Sequence, residues 1–317
     1  MTLSAEMEYD DRALLRRQAS IAVRSLLRPG TYIGTAREVA LTAVHAAAYP
    51  FGIARDANRR STAMLEEEAA DELDLTDLVA DSETAAIPVI LVHGWVHNRS
   101  AFLGTSRVLR RHGFRHIHAF DYNPLVYDIP EIAGMLAAEV ERVLSITGAE
   151  QAMIVGHSLG GLVTRYYIQQ LGGHERIDTV ITLGTPHRGT YAAYLGPGAA
   201  APQMRPGSGF LRQLQETARP SAVRWVAIYS DMDLLILPAA NAKLVHPALR
   251  AHNVRVSDLG HLSLLLSGEV MRAVVTHLSD RTLNRPPALP PSMAEAASAE
   301  AHPPSGLRVV PALTADG

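Results

Sequence analysis

Apolar positions along the middle of the chain fall into two rhythms that alternate. "IPVILVH" (87–93) is a continuous, partly β-branched run of the kind that forms a strand buried on both faces. "NRSAFLGTSRVLRRHG" (98–113) spaces its apolar residues as a helix does and stops at Gly113. A strand is then expected over 114–122, "FRHIHAFDY", and a helix over 130–147, with Pro130 in its first turn and Gly148 after its end. "QAMIVGH" (151–157) reads as the next strand and 159–171 as the next helix, stopped by Gly172 and Gly173. Strands over 177–184, 222–230 and 253–257 and a final helix over 262–278 complete the pattern. Uniformly apolar strands separated by helices predict an α/β fold, with a mostly parallel sheet covered by helices on both faces.

The flanks have a different texture. In 12–28, Leu14, Leu15, Ile21, Ala22 and Leu26 share one side of a helical wheel, and Arg16, Arg17, Arg24 and Arg28 fall largely on the other. This pattern suits a helix docked on a core, which is the commoner use of a wide apolar stripe, or a helix resting on anionic lipid. The apolar segment 32–53 is interrupted by Arg37, Glu38, His45 and Pro50, so it is expected to be helical and partly buried. Together, residues 12–53 are the candidate peripheral membrane contact. Residues 62–84 are rich in acids and read as an exposed helix or linker. Residues 284–317 are rich in Pro, Ala and Ser and read as a disordered tail. The expected organisation is a helical extension and acidic linker (1–84), an α/β domain (85–283) and the tail (284–317). Glu6, Glu8, Asp10 and Asp11 stand where a signal peptide carries basic residues, so a cytoplasmic or membrane-peripheral location is expected.

Composition narrows the chemistry. The 317 residues carry a formal net charge of −3, which offers nothing for bulk attraction to nucleic acid. There is no cysteine, which removes disulfides, thiolate metal sites and cysteine nucleophiles. No cluster of metal ligands or phosphate-binding glycine loop stands out, and no metal or cofactor is expected.

One short stretch does carry chemistry. In "AMIVGHSLGGLV", Ser158 lies between Gly156 and Gly160 where a strand should become a helix. A sharp strand-to-helix turn exposes its central side chain, and residues two positions away must be small to fit. The amides opening the next helix favour negative charge beside that serine. A serine nucleophile needs a base, and the base needs an acid to orient it. In a sheet of this type they follow in the order serine, acid, histidine, each just past a strand. His261 lies after the 253–257 strand and is the best candidate base. Asp231 and Asp233 follow the 222–230 strand, and Asp258 is a third carboxylate. Asp233 precedes the apolar "LLILP" and is favoured as the acid. The oxyanion hole requires two backbone donors. Leu159 N–H should be one, and Trp95 N–H the other, with Gly94 allowing the main chain close and His93 either orienting the loop or filling the core.

The motifs "VILVHGW", "IVGHSLGGLV", "TLGTPHRGT" and "GSGFLRQL" together resemble the compact bacterial lipases and esterases of the α/β-hydrolase superfamily. The resemblance covers roughly 85–280 and implies hydrolysis of acyl esters through an acyl-serine. It carries the nucleophile to Ser158, the oxyanion donors to Trp95 and Leu159, the acid to Asp233 through a Ser-x-x-Asp loop at Ser230, and the base to His261. It places His187 beside the site in a supporting role. The core pattern begins at residue 87, so the first two strands of larger members are expected to be absent, and the smallest secreted lipases have no counterpart to the N-terminal zone. The small-residue segment between Arg188 and Arg219 falls where this superfamily often inserts a lid. A shallow lid is expected there, with Tyr191, Tyr194, Leu195 and Met204 lining an acyl groove. An ordinary surface loop is the equal alternative. An acyl-ester or lipid substrate follows from the resemblance. The same residues could serve an acyltransferase or thioesterase, or persist in a non-catalytic lipid-binding relative.

Overall fold

The computed structural model describes residues 80–95 and 97–283. The expected helical extension and candidate membrane contact (12–53) lie outside the described residues, as do the acidic linker up to residue 79 and the tail from 284. Residues 80–84 already belong to the folded unit. Ala80 N–H donates to His112 O at 3.0 Å, and Asp81 accepts from Thr84 N–H at 2.8 Å.

Six strands form one sheet: β1 (Val89–Val92), β2 (Ile117–Phe120), β3 (Ala152–His157), β4 (Ile177–Leu183), β5 (Arg224–Ser230) and β6 (His252–Val256). Their order is β2-β1-β3-β4-β5-β6, and every neighbouring pair is parallel. The helices are α1 (Leu103–Arg111), α2 (Ile129–Thr147), α3 (Leu159–Gln170), α4 (Gly209–Glu216) and α5 (Gly268–Ser279).

Side chains two apart along a strand face the same way, and the two cores follow that rule. Ile90, Val92, Ile154, Val180 and Ala227 pack with α2 and α3 through Ile132, Leu136, Val140, Leu162 and Val163. Val89, Leu91, Met153, Val155, Ile181 and Val226 face the other way, against Leu109 of α1 and Val270, Val274 and Leu278 of α5. Strands buried on both faces have no polar side to alternate with, hence the unbroken apolar runs in the sequence.

Local sequence sets several boundaries. Asp128 accepts from Glu131 N–H while Glu131 accepts from Asp128 N–H, a reciprocal cap that starts α2. Gly148 ends it at φ 69°. Other boundaries depart from expectation. The strand expected over 114–122 shortens to Ile117–Phe120, which pairs residue for residue with the four residues of β1. The helix expected from residue 98 begins as a 3₁₀ turn, Arg99–Phe102, capped by Asn98. The single helix expected over 262–278 is a 3₁₀ turn, Ser263–Leu265, followed by α5. Ser267 takes an extended conformation between them, and Ser-Gly supplies a break that apolar periodicity does not register. The segment 188–219 carries 3₁₀ turns at Tyr191–Tyr194 and Pro202–Met204, then α4 capped by Ser208.

Candidate active site

The chain runs from β1 out to β2 on one side, then returns to place β3 on the other side of β1. A crevice opens at the carboxyl ends of strands where the order reverses in this way. Gly94, after β1, and Ser158, after β3, meet there. A Cβ on Gly94 would lie 2.9 Å from Ser158 Cβ and 3.0 Å from His157 Nδ1, so only glycine lets this loop reach the serine.

Ser158 has φ 55° and ψ −121°, a conformation that costs a side-chain-bearing residue about 1–3 kcal/mol. The neighbouring structure holds it there. Ser158 N–H donates to Leu183 O at 2.8 Å, and Gly161 N–H to Ser158 O at 3.1 Å. Gly160 sits against β1, where a Cβ would come 2.1 Å from Val92 O. Leu159 opens α3 directly after the serine.

Asp233 and His261 are brought together across 28 residues. His261 Nδ1 lies 2.7 Å from Asp233 Oδ2, and the Asp233 residue is 0% exposed. The other carboxylate oxygen accepts from Leu235 N–H at 2.9 Å and Ile236 N–H at 3.0 Å, which fixes the carboxylate plane. Ser230 ties the two loops together: its hydroxyl donates to Leu259 O at 2.6 Å and accepts from Met232 N–H at 3.1 Å. The pair lies against the end of β4, where a Cβ on Gly184 would fall 3.0 Å from Asp233 Oδ2 and 3.2 Å from His261 Nδ1. The residue before Gly184 is Leu183, the one that holds Ser158 N–H. Asp231 instead lies 3.9 Å from Arg255, and Asp258 is exposed.

The remaining candidates are placed differently. His93 is wholly buried; its Nδ1–H donates to Gly94 O at 2.9 Å and its ring stacks on Tyr122 at 4.0 Å. It supports the Gly94 loop from within the core and is not exposed to a substrate. His187 is likewise buried, with Nε2 3.1 Å from Thr182 Oγ1. Burial, and then the nearby Arg165 guanidinium, hold His187 well below the usual histidine range, so it stays neutral. Arg165 itself, pushed down to about 10 by burial, donates to His187 O and Leu214 O, binding α3 to the 185–189 loop and α4. Met204, expected in an acyl groove, is buried in the core. Tyr191 and Tyr194 stack on each other at 6.1 Å, and Arg205 lies over the exposed Tyr194.

Sequence reasoning passed over His157. It is buried, its ring lies 4.6 Å from that of His261, and its Nε2–H donates to His261 O at 3.2 Å. Its position directly before the serine was the available signal. Three loops also expose apolar side chains at this end of the sheet: Leu125 and Val126 after β2, Tyr194 and Leu195 after β4, and Leu234 and Leu235 after β5. They adjoin, since Ala199 N–H donates to Leu125 O and Thr190 Oγ1 to Leu235 O. Among the described residues, no three His, Asp or Glu side chains are grouped to hold a metal ion, and no helix is long and apolar enough to cross a membrane.

A parallel sheet with helices on both faces, a strained serine between β3 and α3, and an Asp–His pair on the last two loops define the α/β-hydrolase fold. The model of the α/β-hydrolase fold family matches residues 87–204. Similar curated proteins include a triacylglycerol lipase of Burkholderia plantarii, 34% identical over 125 residues, covering 36% of this chain and 33% of that protein. A triacylglycerol lipase of Pseudarthrobacter phenanthrenivorans is 34% identical over 114 residues, covering 32% and 34%. The chain thus spans about a third of the length of these relatives. Among solved structures, a Bacillus licheniformis lipase in its mature form superposes with a TM-score of 0.52 at 18% identity, over 66% of this chain and 96% of that one. Aspergillus fumigatus lipase B gives 0.53 at 17% identity, over 65% and 58%.

Proposed function

We propose that this chain is a serine carboxylic-ester hydrolase of the lipase and esterase type, acting on lipid-like acyl esters. The observation that carries this reading is the buried Asp233–His261 pair at 2.7 Å, with the His261 ring 4.6 Å from that of His157, the residue directly before a serine held in a strained turn. Ser158 Oγ attacks the acyl carbonyl, and His261 takes the hydroxyl proton and delivers it to the leaving alcohol. Asp233 fixes the imidazole with its proton on Nδ1 and balances the positive charge that develops during attack. Leu159 N–H and Trp95 N–H serve the oxyanion, where one donor is worth about 10²–10³ in kcat. Water then cleaves the acyl-Ser158 ester, with His261 as base.

The apolar rim supports a lipid-like substrate. Leu195 is 93% exposed and Val126 and Leu234 about 60%, so the mouth offers hydrocarbon to whatever approaches it. The lipase names of the partial relatives favour the same substrate class.

Ser158→Ala should abolish turnover of p-nitrophenyl butyrate and labelling by a fluorophosphonate probe, with the circular dichroism spectrum unchanged. Retained turnover in that variant would remove the mechanism. Product analysis with an added acceptor alcohol separates hydrolysis from acyl transfer, since a transferase would give the new ester in preference to free acid.

A further inference from the structure

Trp95 enters the proposed mechanism through its backbone, yet its side chain is held by a segment more than a hundred residues away. The indole Nε1–H donates to Pro197 O at 3.1 Å. The ring lies directly on Gly196, where a Cβ would fall 1.7 Å from indole Cη2 and 2.4 Å from Cζ2. Gly196 does not have positive φ, so its lack of a side chain serves space and not backbone conformation. Gly198, at φ 94°, turns the chain against Leu125, and Ala199 N–H donates to Leu125 O at 3.2 Å. At the other end, Thr190 Oγ1 donates to Leu235 O at 2.7 Å and Tyr191 N–H to Leu237 O at 3.0 Å. The stretch 190–199 is therefore a strap anchored by main-chain acceptors at both ends. It presents Leu195 to solvent and Gly196 and Pro197 to the indole.

From this geometry we infer that Gly196 and Pro197 are positioning residues for the oxyanion loop, acting through the Trp95 indole. The inference rests on the proposed role of Trp95 N–H. A loop amide after a strand end has no ladder partner to aim it, so its direction depends on what anchors the adjoining residues. On one side His93 is pinned to Gly94 O and Tyr122. On the other, the indole is the handle, and the strap grips it. The segment that carries the most exposed apolar residue of the rim thus also sets the donor geometry for the transition state. Gly196 and Pro197 grip the indole at one end of the strap, whereas the loop that fixes the Asp233 carboxylate is tied to its other end, through Thr190 and Leu235 O.

Gly196→Ala in the full chain tests this. The methyl group cannot coexist with the seated indole, so the ring must leave or the strap must lift. With a soluble short ester below its aggregation limit, kcat should fall about tenfold or more, with KM little changed, because an oxyanion donor acts in the transition state. Acrylamide quenching supplies a second readout. The chain has two tryptophans, and Trp225 is 2% exposed, so the quenchable emission belongs to Trp95. Its quenching constant should rise at least about twofold in the variant, as a released indole becomes accessible. Wild-type kcat in Gly196→Ala, or a fall in kcat without the change in quenching, overturns the inference. If that variant fails to fold, Trp95→Phe, which keeps the amide and loses the indole donor, carries the test: unchanged kcat overturns the inference. Fluorophosphonate labelling of the wild type separates the two ideas. With labelling intact, a negative result removes only the strap; without it, the nucleophile and the strap's catalytic role both fall.

Discussion

Replacing Asp233 by Asn tests the proposed triad most directly. The carboxylate is 0% exposed, meets His261 Nδ1 at 2.7 Å through Oδ2, and is held at Oδ1 by Leu235 N–H and Ile236 N–H. Those two amides need an acceptor, so the carbonyl oxygen of the substituted side chain takes the Oδ1 place and its NH₂ group faces the imidazole. An NH₂ donor there favours the tautomer with its proton on Nε2, which cannot accept from Ser158. The charge on the acid is lost as well. Opposite charges about 4 Å apart attract by about 4 kcal/mol at an effective dielectric near 20. Since about 1.4 kcal/mol is tenfold in rate, the charge alone accounts for a factor of about 10³. The tautomer penalty extends the expected loss in kcat toward 10⁴. Initial rates on p-nitrophenyl butyrate measure it, with Asp231→Asn as control. Asp231 lies 3.9 Å from an exposed Arg255, a pair worth less than about 1 kcal/mol, so the control should stay within about twofold of wild type. A loss below tenfold in Asp233→Asn, or equal losses in the two variants, would refute the assignment of the acid.

Two further predictions concern the scaffold. Gly160→Ala forces a methyl group to within 2.1 Å of Val92 O, separating α3 from β1; the overpacking should cost about 3 kcal/mol and lower Tm by several degrees in calorimetry. His277 is pushed down to about 4 by burial, with His252 and Arg224 adding to the effect. An unfolded histidine titrates near about 6.5, so the unfolded chain takes up a proton first as pH falls. The stability from a neutral His277 is therefore complete above about pH 6.5 and is lost as pH drops toward 4. His277→Gln removes this proton uptake, so the gap in urea midpoint between wild type and variant should narrow from pH 7.5 to 4.5. A constant gap would contradict the shift.

Much of the fold was legible because a doubly covered parallel sheet writes itself as repeated apolar runs. All six strands could be read that way. The misplaced boundaries have local causes. The break before α5 turns on Ser267 and Gly268, which apolar spacing ignores. The shortened β2 extends only as far as β1, the strand it pairs with, and that length is set by the pairing. The helix at Gly209–Glu216 is short, and its sequence offered too few turns for a period to emerge.

The site divides along the same line. The sequence by itself determined the strand-turn-helix around Ser158, since Gly156, Ser158 and Gly160 are contiguous and their steric demands are local. It also determined that an acid and a histidine follow later strand ends. Which carboxylate meets the histidine was a tertiary decision. Asp231 and Asp233 are two residues apart, and only the packing of their loop against β4 and the His261 loop buries one and leaves the other toward Arg255. The structure likewise turned His93 and His187 inward, because a histidine with nearby backbone or hydroxyl partners is satisfied in the core. The grip of Gly196 and Pro197 on Trp95 spans about a hundred residues and depends on a missing side chain. No periodicity encodes such a contact; only the folded chain brings the two together.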